Sequence, residues 1–267
     1  MNLTFDKNLF TQMGLDSGAL TMLGGVTHRF LQPGQYRGVV YRGTENIAGF
    51  YINVDKNSPV AQANIDLASF ESTTPASGTA TSVGGGCGCK GGSAQPETKF
   101  ELNPKGYAVF HVSKGSGGYA VRVGKAVEDP KEQNQFDSRE LKAEDIFSAV
   151  ILRPGTYSVT NALSKAKGEI TVKYPNIGKN PYLPPNPIRI ECAERFEPNK
   201  IELQPGQAAV FGCKVPSRIR VELLKEDNGP GRAQHERAGW KKAALPRQEA
   251  KAERKSGDHH TGKRSRS

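Results

Sequence analysis

The sequence predicts an all-β protein: two antiparallel β-sandwich halves built from four strand–turn–strand units, followed by a disordered basic tail. Three observations predict it. One Leu-x-Pro opening recurs four times, and apolar and polar residues alternate over short stretches. Gly (30) and Pro (17) are abundant among 267 residues, which suits many tight turns. Only 36% of the residues are hydrophobic and the mean hydropathy is −0.58, so part of the chain has little apolar surface to bury.

The openings come first. They are Leu31-Gln32-Pro33-Gly34-Gln35-Tyr36, Leu102-Asn103-Pro104-Lys105-Gly106-Tyr107, Leu152-Arg153-Pro154-Gly155-Thr156-Tyr157 and Leu203-Gln204-Pro205-Gly206-Gln207-Ala208. Proline fixes φ at the first corner of a β-turn, and a neighbouring glycine supplies the positive φ of a type II turn. Leu before the turn and Tyr after it are expected to point into one core. Each opening leads to an apolar strand and then a return strand: 49–54, 118–123, 168–172 and 218–223. Alternation is clearest in Tyr119-Ala120-Val121-Arg122-Val123 and Ile219-Arg220-Val221-Glu222-Leu223. Such period-two patterning marks a strand with one buried and one wet face. A single unit cannot bury its own apolar face, so the units must pack sheet on sheet.

The openings are spaced by 71, 50 and 51 residues. The longer first interval holds an insertion. The expected organisation is an N-terminal arm at 1–19 and a first sandwich half at 20–125, with a Gly-Cys insertion at 72–96. A polar linker at 126–141, a second half at 142–223 and the tail at 224–267 complete it. One sandwich made from all four units is the alternative.

A family resemblance rests on two stretches. Phe196-Glu197-Pro198-Asn199-Lys200-Ile201-Glu202-Leu203-Gln204-Pro205-Gly206 resembles the first strands of cupredoxin-like domains. Leu152 to Tyr157, with Lys167-Gly168-Glu169-Ile170-Thr171-Val172, resembles their closing strands. The resemblance implies Ig-like or cupredoxin-like sandwiches. It does not bring the copper ligands, because no Cys, His or Met lies between Tyr157 and Gly168, and a blue-copper centre needs two His, a Cys and an axial ligand.

No stretch approaches eighteen apolar residues, so no transmembrane segment is expected. The N-terminus lacks a basic start followed by an apolar block, so it does not read as a secretory signal. A cytoplasmic location, or a place in a virion or other assembly, is the expectation.

The insertion centres on Gly84-Gly85-Gly86-Cys87-Gly88-Cys89-Lys90-Gly91-Gly92. A glycine run has no core-forming side chains, which predicts an exposed loop. Lys90 beside the thiols favours their thiolate forms. Three readings stay open: a soft-metal site for Cu(I) or Zn at Cys87 and Cys89, a redox or sulfur-carrier thiol, and an insertion without chemistry or one joined by a disulfide to a neighbour. A bond between Cys87 and Cys89 would close a small strained ring. Cys192 and Cys213 lie in predicted strands, where a free Cys is usually a small buried hydrophobe.

Five histidines occur: His28, His111, His235, His259 and His260. No Gly-x-Ser-x-Gly, His-Glu-x-x-His or P-loop is present. Gly115-Ser116-Gly117-Gly118 reads as a hairpin turn. No catalytic residues are assigned, and a non-enzymatic protein without a cofactor is expected.

The tail carries 12 Lys and Arg against 6 Asp and Glu from position 224 onward, within a formal net charge of +10 for the chain. Trp240, Lys241, Lys242, Arg247, Lys263, Arg264 and Arg266 are its candidate binding residues, together with Lys90 in the loop. Such a tail suits docking on an acidic protein partner; nucleic acid is the alternative. The functional expectation is a structural or accessory subunit of an oligomer or larger assembly. Metal or sulfur handling at Cys87 and Cys89 is one alternative, and nucleic-acid association through the tail is another.

Overall fold

A computed structural model of the chain describes residues 8–73, 98–126, 134–174 and 182–227. The described residues fall in one compact unit and are all-β, as expected. A short helix α1 (Asn8–Thr11) precedes β1 (Gly14–Asp16), β2 (Gly24–Arg29), β3 (Gly34–Arg42), β4 (Glu45–Val54) and β5 (Gln62–Asp66). A 3-10 turn (Leu67–Thr73) leads to positions outside the described residues. Then come β6 (Thr98–Leu102), β7 (Tyr107–His111), β8 (Tyr119–Lys125), β9 (Asn134–Asp137), β10 (Ile146–Val150), β11 (Gly155–Asn161) and β12 (Lys167–Val172). The last five are β13 (Ile188–Cys192), β14 (Phe196–Glu197), β15 (Lys200–Leu203), β16 (Ala208–Cys213) and β17 (Ile219–Glu226).

These strands make three sheets. One five-stranded sheet has the order β6-β4-β3-β8-β9. A second, β15-β12-β11-β17-β1, matches it place by place, and a seven-stranded sheet, β14-β13-β16-β10-β2-β7-β5, joins the two halves of the chain. Both five-stranded sheets lie on the same face of the seven-stranded one. On β2, a Cβ added at Gly24 would meet Leu15 of β1, whereas His28 packs its ring on Phe136 of β9. Residues two and four apart on a strand share a face, so the two sheets sit side by side over the joining sheet. One apolar core fills the space between the layers. Phe110 stacks on Phe136 within it and lies tilted against Phe50, with centroids 5.3 and 6.2 Å apart.

The halves meet at β2 and β10, which pair antiparallel with Val26 opposite Phe147. Those two residues hold equivalent places, each five before the Leu of its opening (Leu31 and Leu152). A local two-fold axis therefore passes between them. Next to it His28 Nδ1 lies 2.6 Å from Asp145 Oδ1, and Asp145 Oδ2 accepts the Lys142 N–H. The equivalent positions across the axis are Ala149 and Gly24.

The four openings are of two kinds. At the second and fourth, the turns close with Gly106 N–H donating to Asn103 O and Gln207 N–H to Gln204 O, both at 3.0 Å. The positive φ belongs to the position after proline: Gly206 takes it at 81°, and Lys105 takes it at 70° although it is not glycine. At the first and third, the chain crosses from the joining sheet to an outer sheet. There Tyr36 Oη donates to Gln32 O and Tyr157 Oη to Arg153 O, both at 2.8 Å. The crossing directions are opposite, so the buried residue alternates. Tyr36, Leu102, Tyr157 and Leu203 are buried, while Leu31 is 62% exposed and Tyr107 38% exposed. The expectation that every Leu and Tyr of the openings points inward therefore fails for Leu31 and Tyr107.

Other expectations are corrected. Of the four units only the first and third are hairpins, β3/β4 and β11/β12. The second and fourth units place β7 and β8, and β16 and β17, in different sheets. Residues 115–118 thus form an arch between layers and not a hairpin turn; Gly115, Gly117 and Gly118 all have positive φ. The sheets are mixed and not purely antiparallel: β4/β6, β5/β7, β12/β15 and β13/β16 are parallel pairs. Each such pair is joined through another layer, the crossover that parallel pairing requires. The N-terminal arm supplies β1 and the linker supplies β9, each hydrogen-bonded to an outer sheet.

Candidate interaction face

The residues singled out in the Gly-Cys insertion and the tail, namely Cys87, Cys89, Lys90, Trp240, Lys241, Lys242, Arg247, Lys263, Arg264 and Arg266, lie outside the described residues. Among the described residues no group of three His, Cys, Asp or Glu could hold a metal. Cys192 and Cys213 are free, buried neighbours in register on β13 and β16. The hydrogen bond between them, then burial, pushes the Cys192 thiol above its ordinary range. Both belong to the core side of the sheet.

The seven-stranded sheet has a second face, and neither outer sheet lies over it. Its side chains are the alternate positions of β5, β7, β2, β10, β16 and β13. Strand register sets the middle ones in two rows that cross all six strands. One row runs Glu191, Gly212, Ile146, Thr27, Val109 and Asn64. The adjacent row runs Arg189, Val210, Ser148, Gly25, His111 and Asp66. The centre of the face is apolar or small, and the charges stand at its ends. Protein–protein interfaces share that distribution, an apolar centre inside a polar rim.

The central strands explain why. β10 reads Ile-Phe-Ser-Ala-Val and β16 reads Ala-Ala-Val-Phe-Gly-Cys, with apolar or small residues at successive positions. A strand with that pattern is suited to cover on both faces. Strands toward the two ends of the sheet differ: β5 (Gln-Ala-Asn-Ile-Asp) and β13 (Ile-Arg-Ile-Glu-Cys) alternate polar with apolar and so suit cover on one side.

The rim chemistry is specific. Over the β13, β16 and β10 end the face dips into a groove of about 400 Å³, floored by Ile146, Val210 and Gly212 and walled by Arg189, Glu191 and Lys214. Arg189 and Glu191 are exposed. At the other end Arg29 lies over the Tyr107 ring, 5.5 Å from its centroid, and its Nε donates to Lys105 O. Asp66 accepts from Ser113 N–H at 3.1 Å, Ser113 Oγ at 2.5 Å and Ala68 N–H at 3.1 Å. Burial raises the Asp66 pKa, but the Ser113 and Ala68 hydrogen bonds and the His111 charge outweigh it, and the carboxyl is held below its ordinary value. Ser113 bonds to Asp66, so these residues form a cap on the 3-10 turn, with no Ser–His pair for nucleophilic chemistry.

His28 lies on the covered face between Phe30 and Phe136, and its Nε2 has no hydrogen-bond partner among the described residues. Sequence reasoning passed over the uncovered face because none of its central residues carries distinctive chemistry. The signal was the two-sided apolar patterning of β10 and β16. No protein-family model matches the chain, and no curated protein or solved structure is similar to it at a significant level.

Proposed function

We propose that this protein is a non-enzymatic structural or accessory subunit that binds neighbours in a larger assembly through the uncovered face of its seven-stranded sheet. One observation carries the reading: two strands patterned for cover on both faces, β10 and β16, lie at the centre of a sheet covered on one. Burying half-exposed apolar groups such as Ile146, Val150 and Val210 contributes about 25 cal/mol per Å² removed from water. The paired sandwiches, Ig-like or cupredoxin-like in this reading, hold the face rigid. The insertion around Cys87 and Cys89 and the basic tail reach further neighbours. No described helix is long and apolar enough to cross a membrane; a cytoplasmic or virion-borne assembly is part of the same proposal.

The test is native mass measurement of the full chain, purified and in extract of its own cells, alongside Val210→Asp. The wild type is expected well above monomer mass in extract, and the variant at monomer mass with unchanged circular dichroism. A wild type that stays monomeric in both settings overturns the proposal.

A further inference from the structure

The uncovered face is complementary to itself. We infer that a second copy of this chain covers it, sheet on sheet, so that two seven-stranded sheets pack back to back inside a symmetric dimer. The inference rests on the subunit reading above and names the partner.

A two-fold interface needs a surface that fits its own rotated image. The two rows meet that requirement when the axis lies between them, in the plane of the interface and across the strands. Each row of one copy then faces the other row of its partner. Val210 meets Gly212, Ile146 meets Ser148, and Thr27 meets Gly25, so a larger side chain faces a small residue at these three central places; on β7 Val109 meets His111, where neither is small. At one end Arg189 meets Glu191. At the other, Asn64 meets Asp66, and the Asn64 amide nitrogen can donate to that carboxylate because its oxygen already accepts from Gln62 Nε2. An axis along the strands fits worse. It sets Ile146 on Thr27 and Ser148 on Gly25, crowding one place and leaving a gap at the next. Gly212 is central to the fit: no described atom lies within 4 Å of a Cβ built there, so the described residues leave that socket empty.

The size of the face sets the strength. The six strands of the two rows, at about 4.8 Å spacing and each about 17 Å long, present roughly 500 Å² in projection. A standard interface takes about 800 Å² from each partner. The right-handed twist of both sheets lifts the corners and concentrates contact at the centre. The dimer should therefore dissociate on dilution into the micromolar range.

The experiment is sedimentation velocity of the purified full chain over a concentration series, with variants of the two rows. The wild type should move from 28.9 kDa toward twice that mass as concentration rises. Gly212→Glu folds without a clash and should weaken dimerisation at least about tenfold, since it places a charge in the socket. Arg189→Glu should weaken it severalfold. Arg189→Glu combined with Glu191→Arg should restore it, because the pair across the interface is re-formed with its signs exchanged. Overturning results are a wild type that stays at monomer mass at the highest concentration, a dimer indifferent to Gly212→Glu, or a charge swap that fails to restore what Arg189→Glu lost. The same variants in cell extract separate this inference from the subunit reading. A pure monomer that joins a larger species, and leaves it on Gly212→Glu, sinks the self-partner and keeps the subunit. Indifference to Gly212→Glu in both settings sinks both.

Discussion

Two buried or half-buried groups set the pH response residue by residue. Asp66 is held below its ordinary pKa in the fold. A depressed carboxyl contributes stability that is present above its unfolded value, about 3.9, and is lost as pH falls through the folded value. Asp66→Asn should therefore flatten the acid limb of stability below about pH 4, measured by thermal midpoint against pH. An unchanged acid limb would show that Asp66 gains nothing from Ser113. Tyr119 runs the other way. Burial, then the Glu71 hydrogen bond, pushes its hydroxyl up to about 12. Its contribution is complete below about pH 10 and is lost as pH rises toward the folded value. Burial raises Tyr36 and Tyr157 as well, so ultraviolet phenolate titration should find a late group of tyrosines that includes Tyr119, and Glu71→Gln should bring Tyr119 earlier. His28 and Asp145 hold each other and the Lys142 amide where the halves meet. Asp145→Ala leaves a buried imidazole nitrogen without its partner and should cost about 2–4 kcal/mol in chemical denaturation.

Glycines decide what each strand can accept. Gly38 and Phe50 are opposite one another on β3 and β4, and a Cβ at Gly38 would lie 2.0 Å from the Phe50 ring. Gly38→Ala forces that ring out of the core and should cost about 1–3 kcal/mol or more. Gly212→Ala meets open space and should be neutral or stabilising by up to about 1 kcal/mol. Equal effects of the two in urea unfolding would contradict the packing described here. Strand positions were legible at this scale: the return strands read at 49–54, 118–123, 168–172 and 218–223 coincide closely with β4, β8, β12 and β17. Their partners were not. Alternation states that a strand has a wet and a dry face, but β7 and β8 follow one another with a short connection whether they pair or lie in opposite layers. The glycines of 115–118 suit either course. The uncovered face was illegible for a related reason. Val210 and Gly212 alternate with the core residues Ala209, Phe211 and Cys213, and nothing local tells which parity will be covered.

At the scale of the whole molecule, the chain closes on itself. β9 lies in the linker before the second half and completes the first outer sheet, while β1 lies in the arm before the first half and completes the second. Matching signals hold both crossings. Asp16-Ser17-Gly18-Ala19-Leu20 and Asp137-Ser138-Arg139-Glu140-Leu141 share Asp-Ser-x-x-Leu. In each, Ser Oγ accepts a strand amide, from Ile219 and from Val121 respectively. Each Leu then bridges to the other half of the crossing, Leu20 to Tyr119 and Leu141 to Ser217. Asp16 also receives Arg218 and Arg220. Deleting residues 1–18 would expose the edge of β17, so a marked fall in thermal midpoint with aggregation is expected. A truncated chain as stable as the full one would mean that β1 is dispensable.

The sequence by itself determined the all-β class, the strand positions and the turns that begin them, because each follows from interactions within a few residues: alternation, proline φ and glycine at a turn. Only the tertiary structure decided which strands share a sheet, which leucines and tyrosines face inward, that β1 and β9 cross between the halves, and that no other described strand lies over one broad face. Those outcomes depend on contacts between positions up to about 200 residues apart, as Asp16–Arg218 and Ser17–Ile219 are, and the free energy that selects them comes from burying whole layers at once.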